Sequence, residues 1–205
     1  MFIRTENFSQ YVRAYPVVTV LLVLNIGIYL LTWIPGIGDQ LVLFGIGDNF
    51  RIANGEYWRL LTPMFLHYDF MHILFNMFSL FVFGPELEKI AGKARFITIY
   101  MLAGLFGDIA TYFLQSPDYR HLGASGAIFG LFGAFGALVY YTKHVFPQLK
   151  QVILPIIVIS VIMTFLGSNI NVTAHIAGII TGFLIGLSYF NPKNIVSWRK
   201  NSRRR

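Results

Sequence analysis

Cysteine is absent from this chain of 205 residues, and charged residues are scarce. The absence of cysteine excludes disulfides and any chemistry that needs a thiolate, although it does not fix the compartment. Asp, Glu, Lys and Arg together make up only 12% of the residues, against about 25% in a soluble domain. Hydrophobic residues make up 56% of the chain, so the composition excludes an ordinary soluble domain and predicts a multi-pass membrane protein.

Six apolar segments are long enough to cross a bilayer as helices, and little sequence remains for a soluble domain. The first is too long for the apolar region of a signal peptide and no cleavage site follows it, so we expect an uncleaved helix. The predicted fold is an all-α bundle of six transmembrane helices over residues 16–190, with an N-terminal segment at 1–15 and a basic tail at 191–205. The predicted spans cover about residues 16–35, 69–88, 94–115, 125–142, 149–167 and 172–190.

The distribution of basic residues predicts the orientation of these helices. Only three of the 16 Lys and Arg residues, Arg51, Arg59 and Arg120, fall on the side opposite the two termini. Because basic residues favour the cytoplasmic side, both termini are expected to be cytoplasmic, in a cell membrane. The formal charge of +7 does not indicate nucleic acid, because the basic residues occupy the gaps between apolar segments. The arginine-rich tail Arg203–Arg205 is interpreted as a topology signal near anionic lipid headgroups, with a regulatory partner as the alternative.

The longest loop, at about residues 36–66, lies on the outer side in this topology. It is rich in turn-forming glycines and, with the residue just before it, in aromatic rings: Trp33, Phe44, Phe50, Tyr57 and Trp58. Amphipathic rings prefer the membrane–water interface, and disordered segments are poor in them. The composition therefore predicts an ordered loop that lies partly in the interface.

Four polar residues fall at one depth in three of the predicted spans. His72 and Asn76 lie one turn apart in the second span, Ser125 begins the fourth, and His175 follows one turn into the sixth. At 1.5 Å per residue, all four lie within roughly 10 Å of the outer helix ends. This agreement predicts a shared polar cavity that opens to the outer side.

The residue types in this cavity are those of acyl-transfer chemistry. A serine hydroxyl becomes a nucleophile when a base removes its proton, and His175 is the histidine available in the later spans. The backbone N–H of Ser125 and the side chains of His72 and Asn76 are candidate donors to the developing oxyanion. Small-residue spacing at Gly126, Gly130 and Gly133, and at Gly178, Gly182 and Gly186, lets helix backbones approach closely.

Structural roles account for each of these residues taken alone. Ser125 is a suitable helix N-cap, His175 can bond a neighbouring helix, and His72 and Asn76 can bind each other or loop carbonyls. His67, His72 and His175 could supply three zinc ligands, but no metal motif supports such a site, and no cofactor is expected. Asp108 marks either an ion path or a buried hydrogen bond to a neighbouring helix. A non-catalytic protein that binds transmembrane partners is the alternative function, with a transporter third.

Four short motifs add a family resemblance. They are Trp58-Arg59; His67 to Asn76, which contains His72-x-x-x-Asn76; Gly123-Ala124-Ser125-Gly126; and Ala174-His175-Ile176-Ala177-Gly178. With these motifs on the first loop and on spans two, four and six, the chain resembles the rhomboid family of intramembrane serine proteases over nearly its whole length. It looks like the minimal six-span form of that family.

The resemblance implies a serine endopeptidase that cleaves transmembrane segments of membrane-anchored proteins near the outer face. It implies a Ser125–His175 dyad without a carboxylate, and an oxyanion hole of His72, Asn76 and the Ser125 amide. It also implies a first loop embedded sideways in the outer leaflet, and a gate and cap formed by the fifth span and residues 165–171. Supporting roles are implied for Arg59, Glu88, Gly123, Gly126 and Phe129, whose ring would stack on the catalytic histidine.

Overall fold

The structure is a computed structural model that describes residues 5–144, 147–167 and 170–192. The predicted basic tail from residue 193 onward, and residues 168–169 of the predicted cap, lie outside the described residues. Two short 3-10 helices, Tyr57–Leu60 and Thr62–Phe65, precede α5. The other elements in chain order are α1 Phe8–Ala14, α2 Pro16–Leu31, α3 Ile37–Gly45, β1 Gly47–Asp48, α4 Asn49–Ala53, α5 Phe70–Ala91, α6 Lys93–Leu114, β2 Arg120–His121, α7 Ser125–Thr142, α8 Pro147–Leu166 and α9 Val172–Tyr189.

These elements confirm the predicted all-α membrane bundle. In the described part of the chain, five helices, α5 to α9, are long and apolar enough to cross a membrane. Helix α2, with 16 residues, makes a sixth only together with α1, and the two are bent by 109°. The bend falls at Tyr15, just before Pro16, whose ring is favoured at the first position of a new helix.

Helix α7 is the central helix of the bundle. In the most apolar stretch of α7, 72% of the residues are buried inside the protein. The corresponding share for α8 is 17%, the lowest among α5 to α9. Helices α7 and α9 touch along their glycines: a Cβ on Gly178 would collide with the carbonyl oxygen of Gly126, and one on Gly182 with that of Gly130. Close backbone contact of this kind fixes the height of α9 relative to α7.

The first loop is folded as predicted, and Arg59 is the centre of its hydrogen bonding. The Arg59 side chain is completely buried and forms an ion pair with Glu56 at 2.6 Å. Its guanidinium also donates to the carbonyl oxygens of Leu43 and Ile46 at 2.9 and 2.7 Å. Because a buried guanidinium must satisfy its donors, these bonds fix the end of α3 to the 3-10 helix that follows.

The other two arginines of the predicted outer side also meet carboxylates in this region. Arg120 lies 2.9 Å from Asp48, and Arg51 lies within 4 Å of both Asp48 and Glu56. Strands β1 and β2 pair antiparallel here, with Asp48 opposite Arg120. The first loop and the connection after α6 therefore form one polar layer at the same end of the bundle. The aromatic rings in the loop and just before it are exposed: Trp33, Phe44, Phe50, Tyr57 and Trp58.

Glu88 joins the C-terminal half of α5 to the start of α2. Its buried carboxylate accepts hydrogen bonds from the backbone N–H groups of Val17 and Val18, at 3.1 and 2.9 Å. The first N–H groups of a helix have no acceptor within the helix, and a negative charge there is stabilised by the helix dipole. The glutamate thus caps a helix that has no side-chain cap of its own.

Candidate active site

Ser125 and His175 are in hydrogen-bonding contact. The Ser125 Oγ lies 2.7 Å from the His175 Nε2, although the two residues are 50 positions apart in the chain. Ser125 is the first residue of α7, and the N-cap position belongs to Ala124, which makes no side-chain cap bond. The serine hydroxyl therefore does not cap its helix, and it faces the imidazole instead.

Two further side chains hold the His175 ring, which is itself buried. The ring of Phe129 stacks on the imidazole with centroids 4.0 Å apart and planes inclined by 16°. The hydroxyl of Thr164, in α8, lies 2.8 Å from Nδ1. With one nitrogen on Ser125 and the other on Thr164, both ring nitrogens have partners, and the plane of the ring is set by Phe129.

The start of α9, which carries His175, is fixed to α6. Asn171 is the N-cap of α9, and its side chain accepts from the backbone N–H of Ala174 at 3.0 Å. The same side chain donates to the Thr111 hydroxyl of α6 at 2.9 Å. Next to it, the Gln115 amide donates to the Thr173 hydroxyl at 2.6 Å. These bonds place the first turn of α9 against the C-terminal end of α6.

His72 approaches the serine from α5, and Asn76 follows one turn later in the same helix. The His72 ring packs on Gly123, where a Cβ would come within 2.7 Å of Nε2 and 3.8 Å of the Ser125 Oγ. Gly123 also has φ +131°, a conformation that favours glycine, so two constraints exclude a side chain at this position. The amide nitrogen Nδ2 of Asn76 is buried and has no hydrogen-bond partner among the described residues.

Asp108 does not belong to this group. Its carboxylate lies 3.1 Å from the Nε2 of His121 in β2, and both side chains are buried. His121 in turn packs on Gly47 of β1, where a Cβ would collide with the ring. Asp108 therefore has a buried hydrogen bond, but its partner lies in β2, in the polar layer that includes the first loop, and not on a neighbouring helix as expected.

His67 lies between the second 3-10 helix and α5, beside His72. The two imidazole rings are 5.0 Å apart and nearly perpendicular. Burial, with a smaller contribution from His72, lowers the pKa of His67 to about 3, so this ring is neutral at physiological pH. No group of three or more His, Cys, Asp or Glu side chains in the described ranges could hold a metal ion. The zinc alternative on His67, His72 and His175 thus has no geometric support.

Sequence reasoning missed Thr164 and Asn171. Hydroxyl side chains in apolar helices commonly bond their own backbone, so Thr164 gives no signal by its type. The available signal is its position, because Thr164 lies near the C-terminal end of α8, level with His175. Asn171 could have been found as an N-cap residue, since asparagine is favoured directly before a helix.

Comparison with known proteins assigns the family. A family model for the rhomboid domain matches residues 54–192, a range that contains Ser125, His175, His72 and Asn76. The chain belongs to the rhomboid family. It is 45% identical to YdcA of Bacillus subtilis over 189 residues, which cover 90% of this chain and 94% of YdcA.

Other rhomboid relatives match this chain over a smaller part of their own length. The chain is 42% identical to the rhomboid protease GluP of Bacillus subtilis over 159 residues, 76% of this chain but only 30% of GluP. It is 32% identical to RHOMBOID-like protein 5 of Arabidopsis thaliana over 155 residues, 70% of this chain and 50% of the plant protein. As a rhomboid with several membrane-spanning helices, the chain is a multi-pass membrane protein and an intramembrane serine protease.

Proposed function

We propose that this rhomboid hydrolyses a peptide bond in the transmembrane segment of a membrane-anchored protein, with Ser125 as nucleophile and His175 as general base. The observation that carries the proposal is the 2.7 Å hydrogen bond between Ser125 Oγ and His175 Nε2. A nucleophile and its base within this distance meet the geometric requirement for nucleophilic catalysis.

In the first half of the proposed reaction, one proton moves from Ser125 to His175 and then to the leaving amine. His175 Nε2 takes the proton of the Ser125 hydroxyl as Oγ attacks the carbonyl carbon of the scissile bond. The same proton then passes from Nε2 to the leaving amine, which releases one product and leaves an ester on Ser125. A water molecule, deprotonated by His175, attacks this ester, and the proton returned to Oγ regenerates the hydroxyl.

The negative charge that develops on the carbonyl oxygen needs donors that are already in place. We assign this role to the Ser125 backbone N–H, the His72 imidazole and the Asn76 amide. Ser125 begins α7, so its N–H has no acceptor within the helix and lies at the positive end of the helix dipole. The unpartnered Nδ2 of Asn76 supports the assignment, because a donor that binds transition-state charge must be free beforehand.

Supporting positions complete the proposed site. Phe129 sets the plane of the His175 ring. The lack of a side chain at Gly123 leaves room for the His72 ring close to Ser125. Gly126 offers its backbone to α9, and Gly178, where a Cβ would collide with the Gly126 carbonyl oxygen, lets the two helices meet so that the serine and histidine are level. Arg59 and Glu88 act at a distance, since they hold the first loop and the start of α2.

The proposed substrate is a transmembrane helix that reaches the site near the outer face of the membrane. Ser125 and His175 each lie in the first turn of their helices, at the end of the bundle that carries β1 and β2. The charge distribution makes this end the outer one, in a cell membrane with both termini cytoplasmic. An intact helix hides its carbonyls in hydrogen bonds, so substrates with helix-weakening residues near the scissile bond should be preferred.

The test compares variants in proteoliposomes that contain a fluorescently labelled transmembrane peptide. Ser125→Ala and His175→Ala should each abolish cleavage, because one removes the nucleophile and the other its base. Ser79→Ala and His144→Gln, which change the same residue types away from the site, should cleave at the native rate. A fluorophosphonate probe should label Ser125 in the native protein and fail to label it after His175→Ala. Cleavage by Ser125→Ala would refute the proposal, whereas peptide retention without cleavage or labelling in the native protein would favour non-catalytic binding.

A further inference from the structure

Thr164 is unusual among the residues of α8. This helix is largely exposed on the periphery of the bundle, and only Leu149, Ile153 and Thr164 of its described side chains are buried. Thr164 is the polar member of the three, with 2% of its surface exposed. Its hydroxyl meets two groups: the carbonyl oxygen of Ser160, at 3.1 Å, and the Nδ1 of His175, at 2.8 Å.

The number of protons on these groups decides which tautomer His175 adopts. A threonine hydroxyl carries one proton and can accept through its lone pairs. When Thr164 donates that proton to the Ser160 carbonyl, Oγ1 can only accept from His175, so Nδ1 must carry the ring proton. Nε2 is then unprotonated, and its lone pair faces the Ser125 hydroxyl. Only this arrangement satisfies all three hydrogen bonds: Thr164 to the Ser160 carbonyl, His175 Nδ1 to Thr164, and Ser125 to His175 Nε2.

The opposite tautomer is unfavourable in the same geometry. With the ring proton on Nε2, Nδ1 would have to accept the Thr164 proton, and the Ser160 carbonyl would lose that bond. Nε2–H would also point at Ser125 Oγ and could not take its proton. We propose that Thr164 is a positioning residue that holds His175 in the base-competent tautomer, so that the dyad is completed by a neutral hydroxyl. The proposal rests on the proposed function of Ser125 and His175.

Other threonines in the chain show what the ordinary role looks like. Thr98 donates to the carbonyl oxygen of Ala94 at 2.8 Å, and Thr142 donates to that of Leu138 at 2.7 Å. Each bonds the backbone of its own helix four residues earlier, as Thr164 does, and neither is within hydrogen-bonding distance of an imidazole. Thr142→Val is therefore a matched control that removes the same backbone bond without touching the site.

The first experiment reads the tautomer in the native protein and needs no turnover. With 15N-labelled histidine in detergent micelles at neutral pH, the His175 signals should report a protonated Nδ1 and an unprotonated Nε2. They are assigned by their absence in His175→Ala. A native His175 protonated at Nε2 would overturn the proposal, whatever the activity of any variant.

The second experiment measures kinetics and the same spectrum in variants. Thr164→Val keeps the branched shape but cannot accept a hydrogen bond, so kcat should fall about 10- to 100-fold while KM stays within about twofold. The Nδ1–H signature should weaken in this variant and return in Thr164→Ser, which should also recover most of kcat. Thr142→Val should match the native protein in both readouts.

The outcomes separate this inference from the function on which it rests. If Thr164→Val keeps native kcat and the native 15N spectrum, the positioning role is wrong, while the loss of cleavage in Ser125→Ala would still support the dyad. If Ser125→Ala cleaves, the proposed function fails first. If Thr164→Val lowers the unfolding temperature, the kcat of Thr164→Ser and the His175 15N spectrum of the native protein test the positioning role instead.

Discussion

At the scale of single residues, the polar side chains of the proposed site divide into bonded and unbonded groups. Ser125, His175 and Thr164 form one continuous chain of hydrogen bonds. The Asn76 amide nitrogen, in contrast, is buried without a partner among the described residues. A buried donor left unpaired costs about 1–3 kcal/mol, so it is expected chiefly where a later charge will bind.

Asn76→Ala should separate catalysis from stability. Removing one oxyanion donor is expected to lower kcat about 10²- to 10³-fold. Stability should be unchanged or higher, because no hydrogen bond of the resting protein is lost and an unpaired buried donor is removed. The control is Asn25→Ala, since the Asn25 amide donates to the Leu21 carbonyl oxygen at 2.8 Å, away from the site. Asn25→Ala should lower the unfolding temperature and leave kcat near native; a native kcat in Asn76→Ala would contradict the oxyanion assignment.

His67 should make the fold sensitive to acid. Its pKa falls from 6.5 to about 3 on folding because the ring is buried, so below pH 6.5 the unfolded chain binds a proton that the folded one refuses. The contribution of His67 to stability is therefore complete above pH 6.5 and declines as the pH falls toward 3. At pH 5 the loss is about 2 kcal/mol.

The measurement is the unfolding temperature in detergent between pH 7.5 and pH 4.5. In His67→Gln the unfolding temperature should fall less at low pH than in the native protein. In His144→Gln, a change at an exposed position, it should fall as much as in the native protein. An equal fall in unfolding temperature in the native protein and in His67→Gln would show that His67 does not cause the acid sensitivity.

At the scale of elements, the glycines of α7 and α9 decide how closely the two helices approach. Their backbones touch at Gly126 and Gly178 and again at Gly130 and Gly182. The approach brings the first turns of the two helices level, which places Ser125 beside His175. Thr164 adds α8 to the same site through a single side chain, so a displacement of α8 would break its bond to the imidazole.

Alanine substitutions at two glycines should have opposite effects on stability. A methyl group at Gly182 would collide with the backbone of Gly130, so Gly182→Ala should destabilise the protein by about 1–3 kcal/mol. At Gly136 the same methyl group would meet side chains no closer than 3.5 Å, which is ordinary contact. Gly136→Ala should therefore be neutral or stabilising by up to about 1 kcal/mol.

Both glycine variants are to be compared by unfolding temperature and by cleavage rate. Gly182→Ala should also reduce cleavage, since α9 carries His175. A Gly182→Ala protein as stable as Gly136→Ala would show that the α7–α9 contact can relax without cost.

At the scale of the whole molecule, charge and apolar surface are arranged along the bundle. Arg51, Arg59 and Arg120 lie at one end, and each is within ion-pair distance of Asp48 or Glu56. The other 13 basic residues of the chain belong to the opposite end in the predicted topology. In the proposed orientation, this asymmetry places the Ser125 end outward.

Labelling of single cysteines tests this orientation directly, because the native chain has no cysteine to remove. Ser116→Cys lies in the connection between α6 and β2, and His144→Cys lies just after α7; both positions are exposed. A membrane-impermeant maleimide applied to intact cells should modify Ser116→Cys and leave His144→Cys unmodified until the cells are lysed. The reverse pattern would place the site on the cytoplasmic side.

The sequence predicted the helical spans closely because burial in lipid demands long apolar segments. The sixth span, expected at 172–190, is the helix Val172–Tyr189. The first was expected to reach residue 35 but ends at Leu31. The difference has a local cause: the Thr32 hydroxyl bonds the Tyr29 carbonyl at 2.6 Å, and Pro35 disfavours a helical residue before it.

Sequence alone also determined the depth of Ser125, His175, His72 and Asn76, since depth follows from position along a helix of known rise. It could not determine how each helix is rotated or how near it lies to its neighbours. Those quantities depend on packing between segments far apart in the chain. Only the tertiary structure therefore decided that Ser125 bonds His175 and not its own helix, and that Thr164 reaches the other imidazole nitrogen.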